Sequence, residues 1–452
     1  MHPNIIYIDC HDLGDWLGCY DRSYLNTPNL DQLAAEGARF DQYISTAPIC
    51  MPSRAGIYTG QMPHCVGVHG QFSMQAGAVC MAEWFTRGGY ESILVGSAKM
   101  HNTPTDLGFQ SQVDVPDHST LASTAVHWIQ DQGANRSQPF FVSISFNDVH
   151  RPFGNHYEAA LPDQLTVPPY LPDCAIVRRD LATLHRAIEG LDAQVGQILN
   201  AVKSAGQEEN TLIVFTTEHG PAIGRAKHTL YDSGLRCALL IKYPRFVDAG
   251  RVYGELLSNL DLLPTLLDLA GVDIPDEHRD RLHGRTFANL LADQEYVERS
   301  AVFAEHSWGR RAGLYHHTPS RAVRTKEYKY IRNFTDTPPY IDTDWLARFG
   351  PQRQLPQSHF GHPAPEEELY DLSVDPHELN NVAMLPEHKT TCHQLRHQLT
   401  GFLNRTNDPI LDGPIPHPKG LPDVPLWEKQ PDGSFWLRRY REEESGEGWI
   451  DD

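Results

Sequence analysis

The chain is short of positive charge, of paired cysteines and of long apolar runs, and each shortage excludes something. Across 452 residues, 38 Lys and Arg face 58 Asp and Glu, a formal net charge of −20. Such a surface repels polyanions, which excludes nucleic acid and anionic membranes as bulk partners, while a small anion can still be held where a few cations converge. The eight cysteines (10, 19, 50, 65, 80, 174, 237 and 392) include no CxxC pair and are too sparse for a disulfide scaffold or a zinc ribbon. No apolar run approaches the roughly 18 residues of a membrane span. Met1-His-Pro-Asn4 leads straight into Ile5-Ile-Tyr-Ile8, without the basic and apolar regions of a secretory signal. These absences predict a soluble, cytoplasmic protein without nucleic-acid or membrane partners, although a processed periplasmic chain would show the same absences.

What is present is a globular composition, 40% hydrophobic and 21% charged, in a chain long enough for two domains. Short apolar runs with β-branched or aromatic content recur at Asn4 to Ile8, Ser92 to Val95, Phe140 to Phe146, Thr211 to Phe215 and Ala238 to Ile241. Helical patterns lie between them. One starts at Thr27-Pro28, with Leu30, Leu33 and Ala34 on one face before Gly37, and a longer one runs from Leu181 to Val202. Strands alternating with helices predict an α/β fold, a mainly parallel sheet flanked by helices, with its ligand site at the carboxyl ends of the strands. The residues after four of the runs are Asp9-Cys-His11-Asp12, Gly96-Ser-Ala-Lys99-Met-His101, Asn147-Asp-Val-His150 and Thr216-Thr-Glu218-His219-Gly220. Any one is an ordinary polar loop; four at one sheet edge are a site.

From about residue 320 the pattern changes. Arg321 to Ile331 alternates as a strand does, a Pro-rich stretch spans Asp336 to Pro365, a helical pattern covers His388 to Asn404, and the tail carries Trp427, Trp436 and Trp449. We therefore expect a catalytic α/β domain over residues 1–320 and a smaller α+β subdomain over 321–452.

The most informative stretch is Cys50-Met-Pro-Ser-Arg54-Ala-Gly-Ile-Tyr-Thr59-Gly60. Pro52 presets a helical dihedral, Ser53 can cap a helix beginning there, and Cys50 would sit just before its amino end. Free N–H groups and the helix dipole favour an anion at such a position, and Arg54 adds a planar donor fork. The other seven cysteines read as small buried hydrophobes.

This run resembles the C-x-P-S-R signature of the type I sulfatases of the alkaline-phosphatase-like superfamily. The resemblance extends through Thr27 to Phe40, Ser258-Asn-Leu-Asp-Leu-Leu-Pro to Gly271, and Glu368-Leu-Tyr-Asp-Leu-Ser-Val-Asp-Pro376. It implies an alkaline-phosphatase-like core, one divalent cation, and hydrolysis of a sulfate ester or sulfamate, a sulfuric ester hydrolase activity. It implies that Cys50 is oxidised by a formylglycine-generating enzyme to formylglycine, whose aldehyde hydrate attacks sulfur and later expels sulfate as the aldehyde re-forms. By the same resemblance Lys99 contacts formylglycine and sulfate, His101 assists breakdown of the intermediate, His150 protonates the leaving group, and Lys227 grips sulfate oxygens. With Arg54 these cations would neutralise the transferring group, and a histidine suits proton donation near neutrality.

The metal positions depart from the family pattern. Sulfatases usually hold calcium on two adjacent aspartates and an Asp-Asn or Asp-His pair; the aligned residues here are His11-Asp12 and Glu218-His219. Imidazole suits manganese, iron or zinc better than calcium. One reading is a transition-metal site of His11, Asp12, Glu218 and His219; the other keeps calcium or magnesium on Asp12 and Glu218 with Asp9 joining from the same strand face. IDCHDLG and TTEHGPAIGRAKHTLYDSG resemble the sulfamidase-like (heparan N-sulfatase-like) branch. A small sulfated substrate, such as a sulfated saccharide stacked on Trp16, Trp308 or Tyr231, fits this reading, and an oligomer is compatible with it. Two other classes stay open: a phosphonate monoester or phosphodiester hydrolase with the same nucleophile, and a non-catalytic homologue that binds a sulfated ligand.

Overall fold

The computed structural model describes residues 2–70, 73–115, 117–133, 138–151, 153, 165–311, 314–339, 362–417, 425 and 427–437. Its strands in chain order are β1 (Asn4–Cys10), β2 (Ala38–Phe40), β3 (Tyr43–Ile44), β4 (Glu91–Val95), β5 (Ser111–Val113), β6 (Phe140–Phe146), β7 (Thr211–Thr217), β8 (Leu239–Lys242), β9 (Arg251–Tyr253), β10 (Leu257–Ser258), β11 (Val302–Arg311), β12 (Leu314–Arg324), β13 (Tyr328–Asn333) and β14 (Glu367–Asp371). Eight form one mixed sheet in the order β5-β4-β6-β1-β7-β8-β2-β9. Only the β7–β8 and β8–β2 pairings are antiparallel, so the sheet is mainly parallel, as expected.

Its central strands are buried on both faces, which explains why FFVSISF and TLIVFTT read as continuous apolar runs. The two-residue period of β1 divides the core. Ile6, Ile8 and Cys10 pack on one side with the helices Pro28–Glu36, Leu121–Trp128 and Ala175–Ser204, while Ile5 and Tyr7 pack on the other with Cys50–Thr59, Met81–Arg87 and Leu262–Ala270. The expected face of Pro28–Glu36 is the buried one, Leu30, Leu33 and Ala34.

A second sheet, antiparallel in the order β11-β12-β13-β14, is covered by the helix Lys389–Arg405 through Cys392, Leu395, Leu399 and Leu403. That spacing is one helical face. Its first strand starts at Val302, so β11 and the first part of β12, which precede the boundary expected at residue 320, are hydrogen-bonded into the second sheet. The run Arg321 to Ile331 is not one strand. β12 ends at Arg324 and the chain reverses, because Thr325 closes a turn: its N–H donates to the Tyr328 carbonyl (2.8 Å) and its Oγ1 accepts from the Tyr328 N–H (2.9 Å).

In the tail, Trp427 and Phe435 join the first core, on the short antiparallel pair Trp427–Lys429 and Phe435–Leu437. Trp449 and most of the Pro-rich stretch lie outside the described residues. No helix among the described residues is long and apolar enough to cross a membrane.

Candidate active site

The carboxyl ends of β1, β6 and β7 are adjacent, because Asp9 pairs with both Ser145 and Thr216. The loops that leave them are tied together: the His11 N–H donates to the Phe146 carbonyl (3.0 Å) and the Gly14 N–H to the His219 carbonyl (2.8 Å). Asp12 sits at φ +52°, a left-handed conformation uncommon for aspartate and of the kind found at functional sites. Gly220 is needed for close approach, since a Cβ there would stand 1.8 Å from the Ser233 carbonyl oxygen.

Cys50 faces this edge. The helix begins at Cys50 itself, not at Ser53, and Ser53 does not cap it. Instead the Ser53 hydroxyl donates to the Glu218 carbonyl (2.5 Å), and Asn259 donates to Ser53 Oγ (3.0 Å) while accepting from the Thr46 N–H (3.1 Å). The serine therefore fastens the helix to the β7 loop. The one signal for Asn259 in the sequence is its place in the Ser258 to Gly271 stretch.

Around Cys50 the predicted residues converge. Its Sγ lies 3.3 Å from His219 Nε2 and 3.9 Å from Asp12 Oδ1. Lys227 Nζ donates to both oxygens of Asp12, at 2.9 and 2.8 Å. His150 Nε2 is 3.9 Å from Asp12 Oδ2, and its Nδ1 is held by the Arg151 carbonyl at 2.6 Å. His219 Nδ1 lies 2.8 Å from the Gly220 carbonyl, so its proton belongs there and Nε2 presents a lone pair to Cys50 and Asp12.

Burial is nearly complete and sets the electrostatics. It pushes the Cys50 thiol up to about 12 against the pull of Lys227 and Arg54, so an unmodified Cys50 carries almost no thiolate at neutral pH. Burial also works against ionisation of Asp12, but Lys227 holds its carboxyl well below the usual range. Burial and the neighbouring Arg54 keep His11 neutral, and burial outweighs Glu218 and Asp12 in doing the same for His219.

The four predicted metal residues, His11, Asp12, Glu218 and His219, divide between two candidate ligand groups, with His11 and Glu218 in contact across them. His11 Nδ1 and Glu218 Oε1 lie 2.9 Å apart, yet neither atom has a hydrogen-bond partner among the described residues. Two ligands of one ion with bonds of about 2.0–2.2 Å stand roughly 3 Å apart, so this spacing suits a shared ion. Asp12 and Cys50 belong to both candidate ligand groups here, one with His11 and His150, the other with Glu218 and His219. Asp9 is absent from both and pairs with Arg54.

Arg54 was expected to face the transferring group. It is instead fully buried beneath the site, donating to Asp9 and lying 3.5 Å from Glu218 Oε2. Asp9 on β1 and Glu218, one residue past β7, face its two terminal nitrogens, which makes it a holder of Glu218. Lys99 is half-buried at φ +55°, and its charge is felt by His11. His101 is exposed and has no hydrogen bond or ion pair among the described residues. Lys99 and His101 follow β4, two strands away from β1. Trp16, Trp308 and Tyr231 are buried packing aromatics.

A profile described as Sulfatase matches residues 3–272, and one described as N-sulphoglucosamine sulphohydrolase, C-terminal, matches residues 223–344. An ulvan-active sulfatase of Formosa agariphila is 29% identical, over 90% of this chain and 75% of its own length. Human N-sulphoglucosamine sulphohydrolase is 26% identical, over 91% of this chain and 92% of its own. A solved structure in complex with its substrate D-glucosamine-2-N,6-O-disulfate superposes with a TM-score of 0.71 at 18% identity, over 90% of this chain and 99% of that one, and so shares the fold. With the Cys50 motif inside the matched region and the metal-binding type of cluster at the sheet edge, the chain belongs to the sulfatase family.

Proposed function

We propose that this sulfatase hydrolyses a sulfate ester or sulfamate on a small saccharide, at the cluster around Cys50. The observation that carries the reading is the convergence on one buried thiol of Asp12, His219, Lys227 and His150. Oxidised to the aldehyde typical of the family, the residue 50 side chain would supply an oxygen nucleophile as its hydrate. A divalent ion held by His11, Asp12, Glu218 and His219 would supply charge to draw in the sulfate oxygens, and this mixed nitrogen and oxygen set favours manganese, iron or zinc over calcium.

The remaining roles belong to the chain's own cations and histidines. Lys227 is directed into the cluster and can neutralise a sulfate oxygen where charge develops, the term that usually dominates such catalysis. Lys99 stands at the rim to add a second positive charge. His150, its Nδ1–H held by the Arg151 carbonyl, can give a proton from Nε2 to a leaving oxygen or nitrogen when the ring is protonated on both nitrogens. Arg54 positions Glu218 and has no contact with substrate in this reading, and His101 is left out of it. The net charge of −20 favours a short oligosaccharide or chain end over a long polyanion.

The test is a panel of an aryl sulfate, glucosamine N-sulfate, a phosphonate monoester and a phosphodiester, presented to protein matured in a host with the oxidising enzyme. Release of inorganic sulfate with the highest kcat/KM on a sulfated compound is expected. Faster turnover of the phosphonate or phosphodiester would replace this reading with the phosphorus-directed one, and no turnover with a sulfated ligand still bound would favour the non-catalytic homologue.

A further inference from the structure

Away from Cys50, three histidines meet in the interior. His228, His306 and His316 are all buried, and each offers a ring nitrogen such that the three atoms lie within 4.8 Å of one another. His228 comes from the loop that carries Lys227, and the other two come from β11 and β12 of the second sheet.

Three local departures from regular geometry bring them together. His228 adopts φ +68°, with its N–H donating to the Pro48 carbonyl (2.8 Å). The β11–β12 register slips between His306 and Trp308, and this bulge re-aims His306, which pairs with Ser320, toward His316, which pairs with Gly309. Gly309 leaves room for a ring: a Cβ there would stand 1.9 Å from His316 Cε1. A bulge, a left-handed histidine and a required glycine at one point are more than apolar packing asks for.

The chemistry of the group is that of a ligand set. His306 Nε2 and His316 Nε2 lie 3.1 Å apart, close to the spacing of a little over 3 Å between nitrogens on one tetrahedral ion at about 2.0–2.1 Å. A hydrogen bond between those two rings would account for that pair alone. The His228 ring lies 4.9 Å from the His316 ring and brings a third nitrogen into the same group. Burial holds His306 down at about 3 and the other two well below their ordinary value, so all three rings keep lone pairs at neutral pH. Three imidazoles without a carboxylate select a borderline transition metal over calcium or magnesium.

We propose that His228, His306 and His316 bind a second metal ion, of the zinc class, that ties the Lys227 loop to the second sheet. This site stands independently of the hydrolase reading. The test strips the full-length protein with chelator, dialyses it against Zn2+ and counts zinc per chain. Wild type is expected to hold one zinc more than His316→Gln, and Asp12→Asn/Glu218→Gln is expected to keep one. Equal zinc in wild type and His316→Gln, or none in the double variant, would overturn the proposal. Should His316→Gln fail to fold, zinc X-ray absorption of Asp12→Asn/Glu218→Gln decides: a shell of three imidazoles supports the site, and any other shell, or no zinc, contradicts it.

Discussion

Two buried charged clusters flank the helix Cys50–Thr59. At its amino end three carboxylates, Asp9, Asp12 and Glu218, face two permanent cations, Arg54 and Lys227, among histidines kept neutral. Beyond its carboxyl end, His64 pairs with Glu305 and lies 3.7 Å from Asp408, which Arg321 grips at 2.6 and 2.9 Å. Glu305 raises His64 to about 11 in spite of its burial, so the second cluster sets two cations against two anions. It is closed. The first has one negative charge in excess, and a divalent ion reverses that sign, leaving a site that matches a monoanionic sulfate ester. Burial is similar in both; the balance of charge is what separates a site for chemistry from one that fastens β11, β12 and the loop after Lys389–Arg405.

Substitutions can break this contrast. Cys50→Ala is expected to lower turnover by at least about 10⁴-fold with an unchanged melting curve; retention of most activity would remove Cys50 from the chemistry. Lys227→Met should cost roughly 10²–10³ in kcat/KM per folded molecule. In the closed cluster the opposite is expected: Arg321→Met strands buried Asp408 and destabilises by about 3–5 kcal/mol in denaturant titrations, while kcat per folded molecule stays the same. A fall in kcat there would show that the clusters are coupled.

The smallest effect is in pH. His64 has a folded-state value above its unfolded one, so its contribution is full below about 6.5 and is lost as pH rises through about 11. Stability should therefore decline across that window with a slope of up to about 1.4 kcal/mol per pH unit, and His64→Gln should flatten it.

Much of the first cluster was legible because its residues follow strands. His11, Asp12, His150, Glu218 and His219 each end an apolar run, and a mainly parallel sheet brings such ends together. Arg54 was legible as a member but not in its partner, since nothing in the spacing says that Asp9 and Glu218 take up its fork. The turn at Thr325 was hidden because Arg324-Thr-Lys-Glu-Tyr328 carries no Gly, Pro, Asn or Asp to mark a reversal. The closed cluster was not legible at all. His64 and Asp408 are separated by 344 positions in sequence, and their meeting depends on how the second sheet docks. The three-histidine group escaped for the same reason, since a β-bulge leaves no period to read.

The account rests on residue 50 acting as an oxidised nucleophile. Mass spectrometry of the peptide that carries it, on protein made in its own host and assayed from the same preparation, tests this most directly. An aldehyde in place of the thiol is predicted, with activity rising in proportion to the aldehyde fraction; fully active protein with an intact Cys50 thiol would contradict the account.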